Sequence, residues 1–314
     1  MPVKRAFSLL SMLLILAMLA ACAPAAATPT EATTGGQTSQ TGRGTTPGKL
    51  RVWIEWGGNP TQLQQVFPVE VNAPVEVDKI IAALSSSETP DVIVFSGGDR
   101  VKSLAKENVV LQLNDIINTS GIDMNDVVPG ATIQCKQGDK MWCLPWGTDV
   151  YALFWNKDLF EAAGLDPNTP PKTMEELATF AEKLTKVDDQ GNLTQIGFIP
   201  DFSWGHTDLY SRMMGGFWYS DDGTQVTLDS PAMIDALKWQ QQFYEKYGVD
   251  QVLKFTSAMG DYMSPDQGFY AGKIAMMVDG EWQVGPNFIP KFKPELSYGV
   301  AAFPPPAANP ERAN

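Results

Sequence analysis

The chain has 314 residues, more than one hydrophobic core usually organises, so its length points to two domains. Hydrophobic residues at 44% and charged residues at 19% are a globular balance, and a formal charge of −13 argues against nucleic acid and against a peripheral hold on anionic lipid. With His206 as its single histidine, the chain is not expected to hold a histidine-rich metal site, and a His-based triad would have to use that residue.

The first element, in MPVKRAFSLLSMLLILAMLAAC, has a basic start, an apolar run from Ala6 to Leu19 and small residues before Cys22. The run is too short and wrongly flanked for a lasting membrane span, so residues 1–21 read as a secretory leader. Leu19-Ala20-Ala21-Cys22 resembles the bacterial lipobox, which implies cleavage before Cys22 and its acylation; an ordinary leader with an incidental cysteine is the alternative. Several acyl chains would anchor the protein stably to the outer face of the cell membrane, or to the periplasmic side in a two-membrane cell. Residues 22–48 are then the lipidated cysteine and a Thr/Ala/Pro/Gly/Ser/Gln tether that has too little apolar surface to fold.

From Lys49 onward, Leu50, Val52, Ile54 and Trp56 alternate with Arg51, Trp53 and Glu55, a strand pattern that stops at Gly57-Gly58. Val77–Leu84 is apolar at helical spacing, and Val92–Phe95, after Pro90, reads as a strand buried on both faces. Strands alternating with helices predict an α/β fold, whose ligands sit beyond the carboxyl ends of the strands. Trp56, Ser96 and Gly97 are therefore candidate cleft walls, with plain turn glycine as the other reading.

With Cys22 assigned to lipid, Cys135 and Cys143 remain, on either side of KQGDKMW. Gly138-Asp139 predicts a tight turn between two short strands, and the oxidising exported compartment favours a Cys135–Cys143 disulfide over two free thiols. Next, Asp149 stands ahead of an apolar strand, Val150–Trp155, that runs into a helix. Thr173-Met174-Glu175-Glu176 is a capping box whose helix turns Leu177, Ala181 and Leu184 to one face. Ser230-Pro231 opens another helix, lined by Met233, Leu237, Tyr244 and Tyr247 and ended by Gly248. No internal repeat is present in the sequence.

Four stretches, ETPDVIVFSGGD (88–99), LPWGTDVYALFWNKDLFEAAGLDPNTPPKTMEELATFAEKLT (144–185), FYAGKIAMMVDGEW (269–282) and LSYGVAAFPPP (296–306), carry a resemblance. The chain resembles the extracellular solute-binding proteins (family 1) of ABC sugar importers, the group that includes maltose-binding protein. The resemblance implies a two-lobe, type II-like periplasmic-binding-protein fold with a sugar or oligosaccharide held between lobes that close on it. It implies delivery to ABC permease transmembrane subunits, a monomer when complete, and no cofactor. Lobe 1 is expected over 49–148 and lobe 2 over 149–300, with crossings near Thr148–Val150 and Ala301–Pro306, the second within 301–314. Two departures stand out. Only Pro60–Val66 separates the first strand from FPVEV (67–71), where the family has a full helix, and the chain ends at Asn314, just after the expected return crossing. The expectation is a chain truncated at its C-terminus, with a nearly complete second lobe, a partial first lobe and poor solubility.

A sugar offers hydroxyl groups and C–H faces, so its site needs carboxylates or amides and flat aromatics. The resemblance implies that Asp149, seven residues before Asn-Lys-Asp, reaches the ligand and that Trp282 stacks on it. Glu281 replaces the commoner proline and reads either as a further hydroxyl acceptor or as a solvated acid. Phe202 and Trp204 fall where the family keeps an aromatic, with core packing as the alternative; Trp146, Tyr151, Trp218 and Trp56 are weaker candidates. No catalytic residue is assigned. The rival class, an exported lipoprotein glycosidase, would need two carboxylates about 5–10 Å apart, which Asp149 and Glu281 could in principle supply. A purely structural surface lipoprotein is the third class.

Overall fold

The alternation in Leu50–Ile54 makes the strand β1, with Val52 and Ile54 turned into a core shared with Val94. The computed structural model describes residues 49–57, 60–86, 88–220 and 225–313, so the leader, Cys22 and the tether lie outside the described residues. The chain separates into two units: one runs up to Ile122 and adds Gln134–Cys143, and the other takes Asp123–Ile133 and everything from Leu144. Among the described residues no helix is long and apolar enough to cross a membrane.

In the first unit, the helix α1 (Pro60–Val66) leads to β2 (Val69–Asn72), and α2 (Val77–Leu84) to β3 (Val92–Val94). Both β2 and β3 pair with β1 in parallel, in the order β2-β1-β3. The expectation that Val92–Phe95 is buried on both faces is corrected here. As β3 is a sheet edge, Val92 remains 43% exposed and only Val94 is buried. The first strand stops at Ile54 rather than Trp56, with a last backbone bond from the Glu55 N–H to the Val94 carbonyl at 2.9 Å. After α3 (Gly98–Lys106), the short strands Lys136–Gln137 and Lys140–Met141 form a hairpin around Gly138-Asp139. Cys135 and Cys143 are joined beside it, with their Cα atoms 4.9 Å apart.

The second unit is built on a five-stranded sheet. We number its strands β4 (Tyr151–Asn156), β5 (Lys186–Val187), β6 (Leu193–Ser203), β7 (Ile274–Gly280) and β8 (Tyr298–Ala301). They lie in the order β8-β4-β7-β6-β5, antiparallel except for the β6–β7 pair. All seven residues of β7 are buried. Leu153 and Trp155 of β4 join Phe198, Met276 and Val278 on one face, while Phe154 and Met277 pack with Phe269, Tyr270 and Ile289 on the other. This two-sided covering gives the layered α/β architecture its core.

Local chemistry explains the helices. Asn156 caps α4 (Lys157–Ala162) by accepting from the Leu159 N–H, and the Trp155 indole donates to the Pro167 carbonyl, so NKDLFEAAGLDP folds back on the strand end. Thr173 caps α5 (Met174–Leu184) by accepting from the Glu176 N–H at 3.1 Å. Glu176 accepts in return from the Lys172 N–H, one residue earlier than a capping box requires. Leu177, Ala181 and Leu184 are buried on one face as the periodicity predicts. The helix after α6 (Thr207–Met213) is α7 (Pro231–Glu245), and its phase differs from expectation. Met233, Ala236 and Phe243 face inward and Leu237 is 51% exposed, because neighbouring positions lie about 100° apart and only one can face the sheet. The regular helix runs to Glu245, and Gly248, with φ of 80°, closes its last turn by donating to the Tyr244 carbonyl at 2.8 Å and at the same point opens α8 (Val249–Thr256).

Candidate functional site

The site in the second unit follows from sheet register. Tyr151, the first residue of β4, pairs with Gly280, the last of β7. The pairing continues past both ends: Val150 N–H donates to Glu281 Oε2 at 2.8 Å, and Glu281 N–H to the Val150 carbonyl at 3.1 Å. Asp149 and Glu281 are thereby brought side by side. Burial raises the Asp149 carboxyl above its ordinary value; the Glu281 charge and a hydrogen bond with Glu281 that favours the protonated form raise it further.

Strand β6 contributes from the other edge of β7. It bulges before Ser203, which pairs with Val278 at a φ of 63°, and the Trp204 N–H donates to the Val278 carbonyl. Three rings meet as a result. Tyr151 stacks on Trp204 at 6.3 Å between centroids, and Trp282 stands edge-on to both, 5.9 Å from Tyr151 and 5.6 Å from Trp204. Trp204 is 40% exposed, so the cluster presents aromatic surface rather than filling a core. Gly280 makes room for it: a Cβ there would lie 2.2 Å from the Trp282 ring. The charges that bear most on the Tyr151 hydroxyl are the carboxylates Asp149, Asp208, Asp279 and Glu281; together with burial, which acts first, they raise its pKa.

The other expected residues are placed differently. Phe202 packs into the core with the clusters around Phe154 and Ile196, and so takes its core reading, because it alternates with Ser203 on β6 and points under the sheet. Trp146 is 63% exposed and joins none of the three rings; Trp218 is exposed elsewhere. In the first unit, Trp56 is exposed, the Ser96 N–H and hydroxyl both donate to Glu55 Oε2, and Gly97 precedes α3 with φ of 86°. Burial would raise the Glu55 carboxyl, but the Ser96 bonds and the Arg100 guanidinium at 3.1 Å outweigh it and hold it low. Ser96 and Gly97 thus serve a strand-end turn.

Sequence reasoning missed Tyr262, whose hydroxyl accepts from the Trp282 indole N–H at 2.6 Å, Ser203, and His206, whose ring meets Trp204 at 5.7 Å. Tyr262 sits in the aperiodic SAMGDYMSPDQ segment, which gives no pattern to read. Among the described residues no cluster of His, Cys, Asp or Glu is arranged to hold a metal.

Glu281→Gln removes the like charge beside Asp149, so the Asp149 midpoint should fall toward the ordinary aspartate value while staying above it, since burial persists. Because the folded pKa lies above the unfolded one, this carboxyl's contribution to stability declines as pH rises between the two values. A carboxyl carbon NMR titration reads the midpoint, and one that stays put would show that Glu281 has no influence on it.

The profile of the bacterial extracellular solute-binding proteins matches residues 68–311. Among curated relatives, the sn-glycerol-3-phosphate-binding periplasmic protein UgpB of Brucella abortus (strain 2308) is 25% identical over 252 residues, 76% of this chain and 54% of that protein. The maltotriose-binding protein of Pyrococcus abyssi (strain GE5 / Orsay) is 22% identical over 271 residues, 82% of this chain and 54% of its own. The chain thus spans about half the length of the curated relatives it matches. A solved structure, CpMnBP1 with mannobiose bound, is 30% identical with a TM-score of 0.72, covering 82% of this chain and 69% of that one.

Proposed function

The chain belongs to the bacterial extracellular solute-binding proteins, and from that premise we propose that it captures a sugar or oligosaccharide for an ABC importer. In this reading, Tyr151, Trp204 and Trp282 offer faces to the sugar ring while Asp149 and Glu281 accept from its hydroxyl groups. The saccharide passes to a membrane permease, and lipid on Cys22 keeps the protein at the cell surface. The observation that carries the reading is the aromatic trio, half-buried at Tyr151 and Trp282 and exposed at Trp204, with an acid pair beside it. It accords with mannobiose in the structural relative and maltotriose in the name of a curated one.

Two other readings fare worse on the same geometry. Glycerol 3-phosphate, named for the UgpB relatives, would bring a phosphate toward the carboxylates around Tyr151 and meet repulsion. A glycosidase needs its carboxylates roughly 5 Å apart or more, whereas Asp149 and Glu281 are hydrogen-bonded to each other and leave no room for a scissile bond.

Calorimetric titration with mannobiose, maltotriose and sn-glycerol 3-phosphate at pH 7 tests the proposal. Saturable heat is expected from a saccharide and none from the phosphate. Tighter binding of the phosphate, or release of reducing ends on incubation, would overturn it.

A further inference from the structure

Asp279 ends β7 wholly buried, beneath the aromatic trio rather than within it. Its Oδ1 accepts from the Tyr262 hydroxyl at 2.8 Å and the Gly280 N–H at 2.7 Å; its Oδ2 accepts from the Ser203 hydroxyl and from Gln283 Nε2 at 2.8 Å. A buried carboxylate without such donors would be costly, and here both oxygens are satisfied. The Tyr262 hydroxyl, whose proton is engaged in the bond to Asp279, has its lone pairs free to accept. It does so from the Trp282 indole N–H at 2.6 Å and from Gln283 Nε2 at 3.2 Å.

The relay therefore runs from a buried carboxylate, through one hydroxyl, to a partly exposed indole. Its direction is set at the buried end, because a carboxylate accepts only and forces Tyr262 to donate inward. The edge-on contacts of Trp282 with Tyr151 and Trp204 fix its separation from those rings, but ring contacts are weakly directional. The indole hydrogen bond is directional, and with the ring lying close over Gly280, where no Cβ stands in its way, it selects one plane for the ring. We propose that Asp279 and Tyr262 are positioning residues for Trp282: they set the plane of the ring on which the saccharide stacks, so affinity depends on two side chains that contact no ligand. The inference rests on the stacking role of Trp282.

Tyr262→Phe deletes one hydroxyl and keeps the ring that packs against Phe288. In a proton–nitrogen correlation spectrum of the full chain, with the Trp282 indole signal assigned by its loss in Trp282→Phe, Tyr262→Phe should move that signal upfield and speed its exchange with deuterium. Mannobiose affinity should fall about tenfold in Tyr262→Phe. In the Trp282→Phe background, where no indole N–H exists, Tyr262→Phe should change the affinity less than twofold. An unmoved indole signal overturns the relay, and an equal loss in both backgrounds overturns the positioning role. If Tyr262→Phe does not fold, the unsubstituted chain still decides: the Trp282 indole must exchange more slowly than that of exposed Trp146. Absence of mannobiose binding to the unsubstituted chain would count against the saccharide reading, whereas the indole signal tests the relay whatever binds.

Discussion

Trp282→Ala should weaken mannobiose binding by about 2–3 kcal/mol, roughly a hundredfold in Kd. The loss has two parts. The stacking face itself disappears, and Tyr151 and Trp204, each of which meets the Trp282 ring edge-on, lose the neighbour that holds them in place. Asp149→Ala should cost less, about tenfold, since it removes one hydrogen-bonding carboxylate while Glu281 remains beside the gap. Thermal midpoints should stay within a few degrees in both variants, because neither side chain belongs to the buried core of the sheet. Calorimetry on the two variants checks this, and a change below threefold in both would remove the pair from the site.

Gly197→Ala should destabilise the second unit by about 3 kcal/mol or more, although it adds a single methyl group. The new Cβ would lie 2.1 Å from the Ala181 carbonyl oxygen and 2.4 Å from its Cα, so it meets helix backbone rather than a side chain able to swing away. Neither partner can yield. Strand β6 is hydrogen-bonded to β7 on one side and β5 on the other, and α5 is pinned where the Gly197 N–H donates to the Thr185 hydroxyl, which in turn donates to the Ala181 carbonyl. Relief requires lifting α5, and with it Leu177 and Leu184, off Phe198. For a unit of this size the thermal midpoint should drop by about 2–4 °C per kcal/mol, followed by near-ultraviolet circular dichroism. A loss under 1 kcal/mol would mean that the helix and strand are less tightly coupled than the structure shows.

How much was legible depends on how far apart the interacting residues lie along the chain. The helix over Val77–Leu84, the Thr173 cap and the inward face of Leu177, Ala181 and Leu184 all follow from neighbours a few positions apart, and the sequence predicts each of them. The family resemblance is equally local in origin, since it rests on short contiguous stretches such as NKDLFEAAGLDP, whose cap and fold-back are built from its own residues. The phase of α7 was not legible: the sequence puts Leu237 on the covered face, but Ala236 is apolar too, and the sheet beneath covers Ala236 and leaves Leu237 exposed.

By itself the sequence determined the α/β class and the family, and it singled out Asp149 and Trp282 as candidates for the site, because periodicity, capping and motif are properties of adjacent positions. Only the tertiary structure decided that Tyr151, Trp204 and Trp282 meet, that Phe202 turns away from them, and that Asp149 lies against Glu281. Each of these depends on which strands flank β7 and in what register. A shift of one residue would turn every side chain on a strand to the opposite face, and no stretch of the sequence records that choice alone.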